Sequence, residues 1–149
     1  MTAQLPLSDR AESGLRSTAS AGIVSGAVRA MLRFEGLAAF VTAALLYRHS
    51  GFPLPMFAVF FLAPDLSMLG YLAGPRIGAA AYNAAHTYAL ALPLALFGLL
   101  APTPIALGAA LIWIAHIGLD RALGYGLKRQ TRFGDTHLGT VGRSPPGGA

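Results

Sequence analysis

The sequence predicts an all-α protein: a four-helix transmembrane bundle with short turns and mobile cytoplasmic tails. Three observations lead there. Hydrophobic residues make up 54% of the chain and charged residues only 11%, against roughly 25% charged in an average soluble domain. Four apolar segments are set apart by glycine and proline. Residues 36–47, 88–101 and 105–115 contain no charge at all, whereas each helix of a soluble bundle keeps a polar face that returns every three to four residues.

Taken in order, residues 1–22 are rich in Ser, Ala, Thr and Gly, with Asp9, Arg10, Glu12 and Arg16 scattered among them. They lack a compact apolar core behind a basic start, so they read as a mobile tail and not as a signal peptide. The membrane domain is expected over residues 23–139. Its first apolar segment, "AMLRFEGLAAFVTAALLYR", covers about residues 30 to 47 and carries Arg33 and Glu35 in its first turns. Arg48, His49, Ser50 and Gly51 form a turn. Pro53 and Pro55 suit the first turn of the next helix, where a missing N–H costs nothing. That helix is expected from about residue 54 to 73, stopped by Gly74-Pro75. The third is expected as one continuous helix over about 76–100. Pro102 and Pro104 restart the chain, the fourth helix runs over about 105–121, and Gly124 and Gly126 end it. Residues 140–149, finishing in "SPPGGA", read as a disordered tail.

A span needs about 20 mostly apolar residues. The second and third segments reach that, and the first and fourth carry charges near one end. The net charge of +5 lies in tails and turns, as at membrane-facing ends, so it points to the lipid bilayer as partner and not to nucleic acid. Arg10, Arg16, Arg29, Arg33, Arg76, Arg121, Lys128, Arg129, Arg132 and Arg143 fall on one side of the four-span arrangement and only Arg48 on the other. The positive-inside rule then places both termini in the cytoplasm of a cell whose inner (plasma) membrane holds the chain. There are no cysteines, which excludes disulfides and thiolate metal sites.

The polar residues within the spans are few: Glu35, Asp65, Tyr82, Asn83, His86, Thr87, Tyr88, His116 and Asp120. At about 1.5 Å of rise per residue, Glu35 and His116 lie roughly 8 Å from the cytoplasmic end of their helices, Asp65 roughly 12 Å and His86 roughly 15 Å, with Asp120 near the surface. All of them fall in one half of the bilayer. Tyr82 and Asn83 share a helix face with His86, and Asp120 shares one with His116. Two carboxylates and two imidazoles are ligands suited to a divalent metal such as zinc, and four-helix bundles build such sites from inward Glu and His. The expected metal ligands are Asp65, His86 and His116, with Asp65 or Glu35 as catalytic base. Tyr82, Asn83, Asp120 and Arg121 are supporting groups, Asp120 or Asn83 accepting from an imidazole. Pro64 frees the carbonyl of Phe60 and makes Asp65 an early residue of a new half-helix, where N–H groups and the dipole favour a carboxylate. A kink beside an acid is a feature of a lined cavity.

Plainer readings stand beside these. Glu35 pairs with Arg33, Arg121 or Lys128; Asp120-Arg121 is interfacial charge; the two histidines are neutral and lock the bundle; Tyr71, Tyr82, Tyr125 and Trp113 pack. In the string "FGDTHLG", Asp135 and His137 form a turn folding back under the bundle, or a lid that brings His137 to the mouth of the polar cavity. Bis-histidine haem ligation by His86 and His116 is left open. No P-loop and no GxSxG elbow is present.

Four stretches, "LRFEGLA", "FLAPDLSMLGYLAGPRIGAAAYNAAHTYALALPL", "LIWIAHIGLDRALGYGLKR" and "FGDTHLG", resemble an uncharacterised family of small bacterial integral membrane proteins, the domain-of-unknown-function family numbered four-two-six-zero. The resemblance covers about residues 31 to 139. It implies a four-helix membrane protein with polar motif positions at Glu35, Pro64, Asp65, Tyr82, Asn83, His86, His116, Asp120 and Arg121, and it implies no activity. Three function classes follow from the residues themselves: a structural membrane protein with a satisfied polar core, a membrane-embedded metal-dependent hydrolase acting on a lipid-like substrate, and a proton-coupled carrier.

Overall fold

The computed structural model of the chain describes residues 26–128, 135–136 and 139–140. The tail expected over 1–22, nearly all of that expected over 140–149, and His137 lie outside the described residues. The order of elements is α1 (Gly26–His49), α2 (Leu54–Phe60), a 3₁₀ segment (Ala63–Ala73), α3 (Pro75–Ala85), α4 (Tyr88–Leu100), α5 (Pro104–Leu123), β1 (Asp135–Thr136) and β2 (Gly139–Thr140). They make four helical spans long and apolar enough to cross a membrane: Gly26–His49, Leu54–Ala73, Pro75–Leu100 and Pro104–Leu123.

The protein wears its large apolar side chains on the outside. Leu72 is 88% exposed, and Leu100 and Ile105 are each 75% exposed. In water such a surface would drive aggregation; in a bilayer it is the lipid-facing wall. Of the four spans the last is the most enclosed, with 44% of its apolar window buried against none in the second span. The bundle is therefore built around α5, against which α1 and α4 pack.

Lipid tails supply no hydrophobic drive between helices, so close packing has to hold them together. Gly36 of α1 and Gly118 of α5 permit the closest crossing. A Cβ on Gly36 would sit 2.5 Å from Cβ of Arg121 and 2.8 Å from the Gly118 carbonyl oxygen, and one on Gly118 would sit 2.6 Å from the Phe40 nitrogen. Arg33 Nε donates to the Ala122 carbonyl at 2.7 Å, fastening the same crossing at its end. Farther along, Ala43, Tyr47, Leu111, Ile112 and Ala115 form the buried core. Aromatic rings descend from it toward the middle of the bundle: Tyr47 against Phe57 at 5.1 Å, Phe57 against Phe61 at 5.3 Å, and Phe61 against His116 at 5.4 Å.

The two middle spans are not continuous α-helices. α2 stops after about two turns, and from Ala63 the chain winds as a 3₁₀ helix over 11 residues, where runs beyond three or four are uncommon. Pro64 lies in its first turn, and Asp65 is the acid there. The interruption at Pro64 thus goes further than a kink. The third span, expected unbroken, is divided at His86 and Thr87. His86 caps the end of α3 and Thr87 begins α4, its side chain accepting from Ala89 N–H at 3.4 Å. The physical reason lies in the neighbours. The carbonyls left without helical partners at the end of α3 find donors on α5: Trp113 Nε1 donates to Ala85 at 2.6 Å and Arg121 Nη2 to His86 at 3.1 Å. Inside a membrane a broken helix survives only when its freed backbone groups are satisfied in this way.

Gly74 joins the second and third spans with φ +111° and ψ 162°, a conformation open to glycine and not to side-chain-bearing residues. Gly124, left-handed at φ +95°, closes α5, its N–H on the Arg121 carbonyl. β1 and β2 pair antiparallel, Asp135 opposite Thr140 and Thr136 opposite Gly139, and Lys128 bridges to Thr136. Part of "FGDTHLG" is therefore a small hairpin with Thr136 buried.

Candidate metal centre

The interruptions in the middle spans position the polar residues. Asp65 opens the 3₁₀ segment, His86 ends α3, and His116 and Asp120 stand one turn apart on α5. Their side chains converge. His86 Nε2 lies 3.3 Å from Asp65 Oδ1, 3.5 Å from Asp120 Oδ2 and 3.1 Å from His116 Nε2. His116 Nε2 lies 3.6 Å from Asp65 Oδ1 and 3.8 Å from Asp120 Oδ2. One ligand atom from each of the four residues falls within a 4.8 Å sphere of mutual distance.

These separations have a simple comparison. Ligands about 2.0–2.2 Å from a tetrahedral ion stand about 3.3–3.6 Å from one another. The five distances, 3.1–3.8 Å, straddle that range.

The proton arrangement points the same way. His86 Nδ1 is 2.9 Å from the Tyr82 carbonyl, which only accepts, so the hydrogen-bond network assigns the ring proton to Nδ1. In the neutral imidazole Nε2 is then a bare lone pair, and it faces two carboxylate oxygens and a second imidazole nitrogen. A backbone carbonyl that sets the tautomer of a histidine is the usual support of a metal ligand. His116 is equally buried, 2% exposed, with Nδ1 lacking a hydrogen-bond partner among the described residues.

A rim of polar groups holds the four in place. The Tyr82 hydroxyl donates to Asp120 Oδ2 at 3.3 Å, and its ring stacks on His86 at 3.7 Å between centroids, tilted by 11°. Lys128 Nζ lies 5.2 Å from the centre of the Tyr82 ring. Burial pushes the Lys128 ammonium below its ordinary value, with the nearby Asp120 charge acting in the opposite direction. Asn83 was one of two candidates, with Asp120, to accept from an imidazole. It instead exchanges two hydrogen bonds with the backbone of Lys128, Nδ2 to the carbonyl at 2.9 Å and N–H to Oδ1 at 2.7 Å, and so ties the start of the tail to α3. Arg121 reaches the His86 carbonyl.

Among the expected ligands, Asp65, His86 and His116 are brought together. Asp120, expected as a helper near the surface, stands inside the group, as close to His86 of the third span as to the histidine on its own helix. The i,i+4 spacing had linked it to His116 alone. Glu35 is not in the group: its side chain is exposed on α1, next to the Gly36 contact. Sequence reasoning also missed Trp113, read as packing, whose N–H supports the break before His86. The signal was there in retrospect only as a lone indole three residues before His116.

An apolar cavity of about 490 Å³ adjoins the site. It is lined by Pro64 and Ala85, the chain neighbours of Asp65 and His86, and by Ile112 and Trp113, one turn before His116.

No curated protein and no solved structure gives a match to this chain. A family model does, over residues 29–141, which takes in every span from near its first turn to the hairpin. With four membrane-length helices and this His/Asp cluster between them, the chain belongs to the family described as Domain of unknown function (DUF4260).

Proposed function

We propose that this protein is a membrane-embedded metal-dependent hydrolase whose centre holds one divalent ion of the zinc class on Asp65, His86, His116 and Asp120. The observation that supports it best is the convergence of three ligand atoms, from Asp65, His116 and Asp120, on His86 Nε2, whose lone pair is fixed inward by the Tyr82 carbonyl. Two carboxylates also balance the charge of a divalent cation, so the filled site is neutral. Neutrality matters in a low-dielectric interior, where a lone charge costs about 2.5–3.5 kcal/mol on insertion scales.

The bound ion would supply an activated water at neutral pH. This chain's residues do the rest. Tyr82 holds Asp120 as a fixed ligand. Asp65 is the less enclosed carboxylate, its side chain 34% exposed against 19% for Asp120, and it follows the cavity-lining Pro64. It would be the group to take a proton from the attacking water as general base. No role is given to Glu35. The concentration of arginine and lysine on the side of the termini supports a cytoplasmic location for that side. A reporter fused after Ala149 should read cytoplasmic, and a periplasmic reading would reverse the orientation.

The competing reading is a hydrogen-bonded polar core without metal, favoured by the 3.1 Å contact between the two Nε2 atoms. Elemental analysis separates the two. Protein purified in detergent without chelators should carry about one metal per chain. His86→Ala and His116→Ala should lose it, and Glu35→Gln and Arg48→Ala should keep it. Retention should also decline as pH falls through the range where free imidazoles protonate, because only neutral histidine binds. Wild type carrying no more metal than the histidine variants would establish the polar core instead.

A further inference from the structure

We infer that the apolar cavity beside the centre is the binding site for the acyl chain of an ester-bearing membrane lipid, with the Ser67 hydroxyl taking the ester carbonyl. Two independent observations lead to this. The first is the cavity itself. Its volume, about 490 Å³, is within the roughly 300–1,000 Å³ of small-molecule sites. Phe60 and Pro64 of the second span form one wall and Ile112 and Trp113 of the fourth the other, with Ala85 at the break of the third between them. The walls offer almost nothing polar, so the matching ligand surface is hydrocarbon.

The second is Ser67. It lines this cavity, its Oγ is closed off from solvent, and it has no hydrogen-bond partner among the described residues. A buried hydroxyl left without a partner costs about 1–3 kcal/mol, and because Ser67 lines the cavity, a turn about its Cα–Cβ bond would bring this one out as a donor to an acceptor bound there. In the 3₁₀ segment residues three apart eclipse, which sets Ser67 directly beyond Pro64 on the cavity side. An acyl ester is the bilayer component that pairs a long hydrocarbon with a single carbonyl acceptor close to one end. Its chain would enter from the bilayer between the second and fourth spans, along Phe60 and Ile112, and its linkage would stop beside the residues that flank Asp65 and His86. That the linkage is then hydrolysed rests on the metal reading; the binding of the chain does not.

Trp113 is the only tryptophan in the chain and stands in the cavity wall, so it reports occupancy directly. In detergent solution, the methyl ester of dibromostearic acid should quench Trp113 saturably, at about one molecule per chain, and methyl stearate should reverse the quenching. Ala109→Phe, which fills the cavity from the wall of α5, should abolish the saturable part, and Ala95→Phe, in the separate cavity between α1, α4 and α5, should leave it. Ser67→Ala should weaken the ester about three- to tenfold and leave dibromooctadecane, which has no carbonyl, unchanged. Quenching that rises linearly with probe and is not reversed by methyl stearate would overturn the inference without recourse to any variant. Saturable quenching untouched by Ser67→Ala would overturn the role of the hydroxyl. His116→Ala should lose metal and keep chain binding within about twofold, so a protein that binds the ester and never holds metal would sink the hydrolase reading alone.

Discussion

The first and fourth spans are single α-helices, and the second and third are each broken near mid-membrane. The two pairs solve different problems. α1 and α5 cross on Gly36 and Gly118, where the backbones approach so closely that no Cβ fits at the observed separation. Their job is contact, and continuous helices present the smoothest surface for it. The broken spans carry Asp65 and His86 at the ends of helical pieces. There side chains can aim along the chain direction as well as sideways, and unpaired backbone groups become available. The Tyr82 carbonyl, which serves both the His86 backbone N–H at 2.8 Å and the His86 ring nitrogen at 2.9 Å, shows why a break is useful: it orients an imidazole with main chain alone. The break is held open from the continuous side, by Trp113 and Arg121 of α5. A continuous pair of spans thus braces a broken pair, and the His/Asp cluster sits on the boundary.

This comparison can be broken most forcefully at the continuous pair. Gly118→Leu would drive a side chain into the Phe40 backbone, and because neither helix has a flexible group to move aside, the crossing itself must open. Overpacking usually costs about 1–3 kcal/mol; against backbone on both sides the loss should reach the top of that range or exceed it. Thermal unfolding in detergent, followed by circular dichroism, should show a drop of many degrees, together with loss of the metal that His116 and Asp120 help to hold. A variant as stable as wild type would mean that the crossing does not support the bundle.

Arg121→Met is the next test, since it keeps the bulk of the side chain near Gly36 and deletes the donor to the His86 carbonyl. Helix content should hardly change. Metal affinity should fall about 10–100-fold, the usual effect of removing a group that orients a ligand. Unchanged affinity by competition with a chromogenic chelator would show that the break stands without its brace. Trp113→Phe should have the smallest effect. It removes one hydrogen bond, to Ala85, and preserves most of the packing, so stability should decline by about 1 kcal/mol with metal content intact. A large loss of metal from this variant would make Trp113, and not Arg121, the main support of His86.

Much of this protein was legible from its residues because a bilayer is an exacting solvent. Uncharged runs, proline after glycine, and a count of arginines are enough to mark four spans, and the half of the membrane holding Asp65, His86 and His116 follows from helical rise. Pro64 also announced an interruption, since a residue with no N–H cannot continue a helix unaided. Where the reading fell short, the cause lay in contacts between distant segments. Nothing local to His86-Thr87 forbids a helix; the chain breaks there because two side chains of α5, 28 and 35 residues farther on, take its carbonyls. Asp120 looked like a partner of His116 because i,i+4 spacing is the only geometry a sequence displays, and its place near His86 depends on how closely α5 approaches α3. Glu35 has the expected depth of His116, and depth is a property of one helix. Whether it faces inward depends on rotation about the helix axis, which the Gly36–Gly118 contact sets, leaving the glutamate exposed. The residues alone determined which segments are long and apolar enough to cross a membrane and where along each segment the polar groups lie. Tertiary packing decided which of them meet, because helix rotation and helix breakage are chosen by neighbours and not by the segment itself.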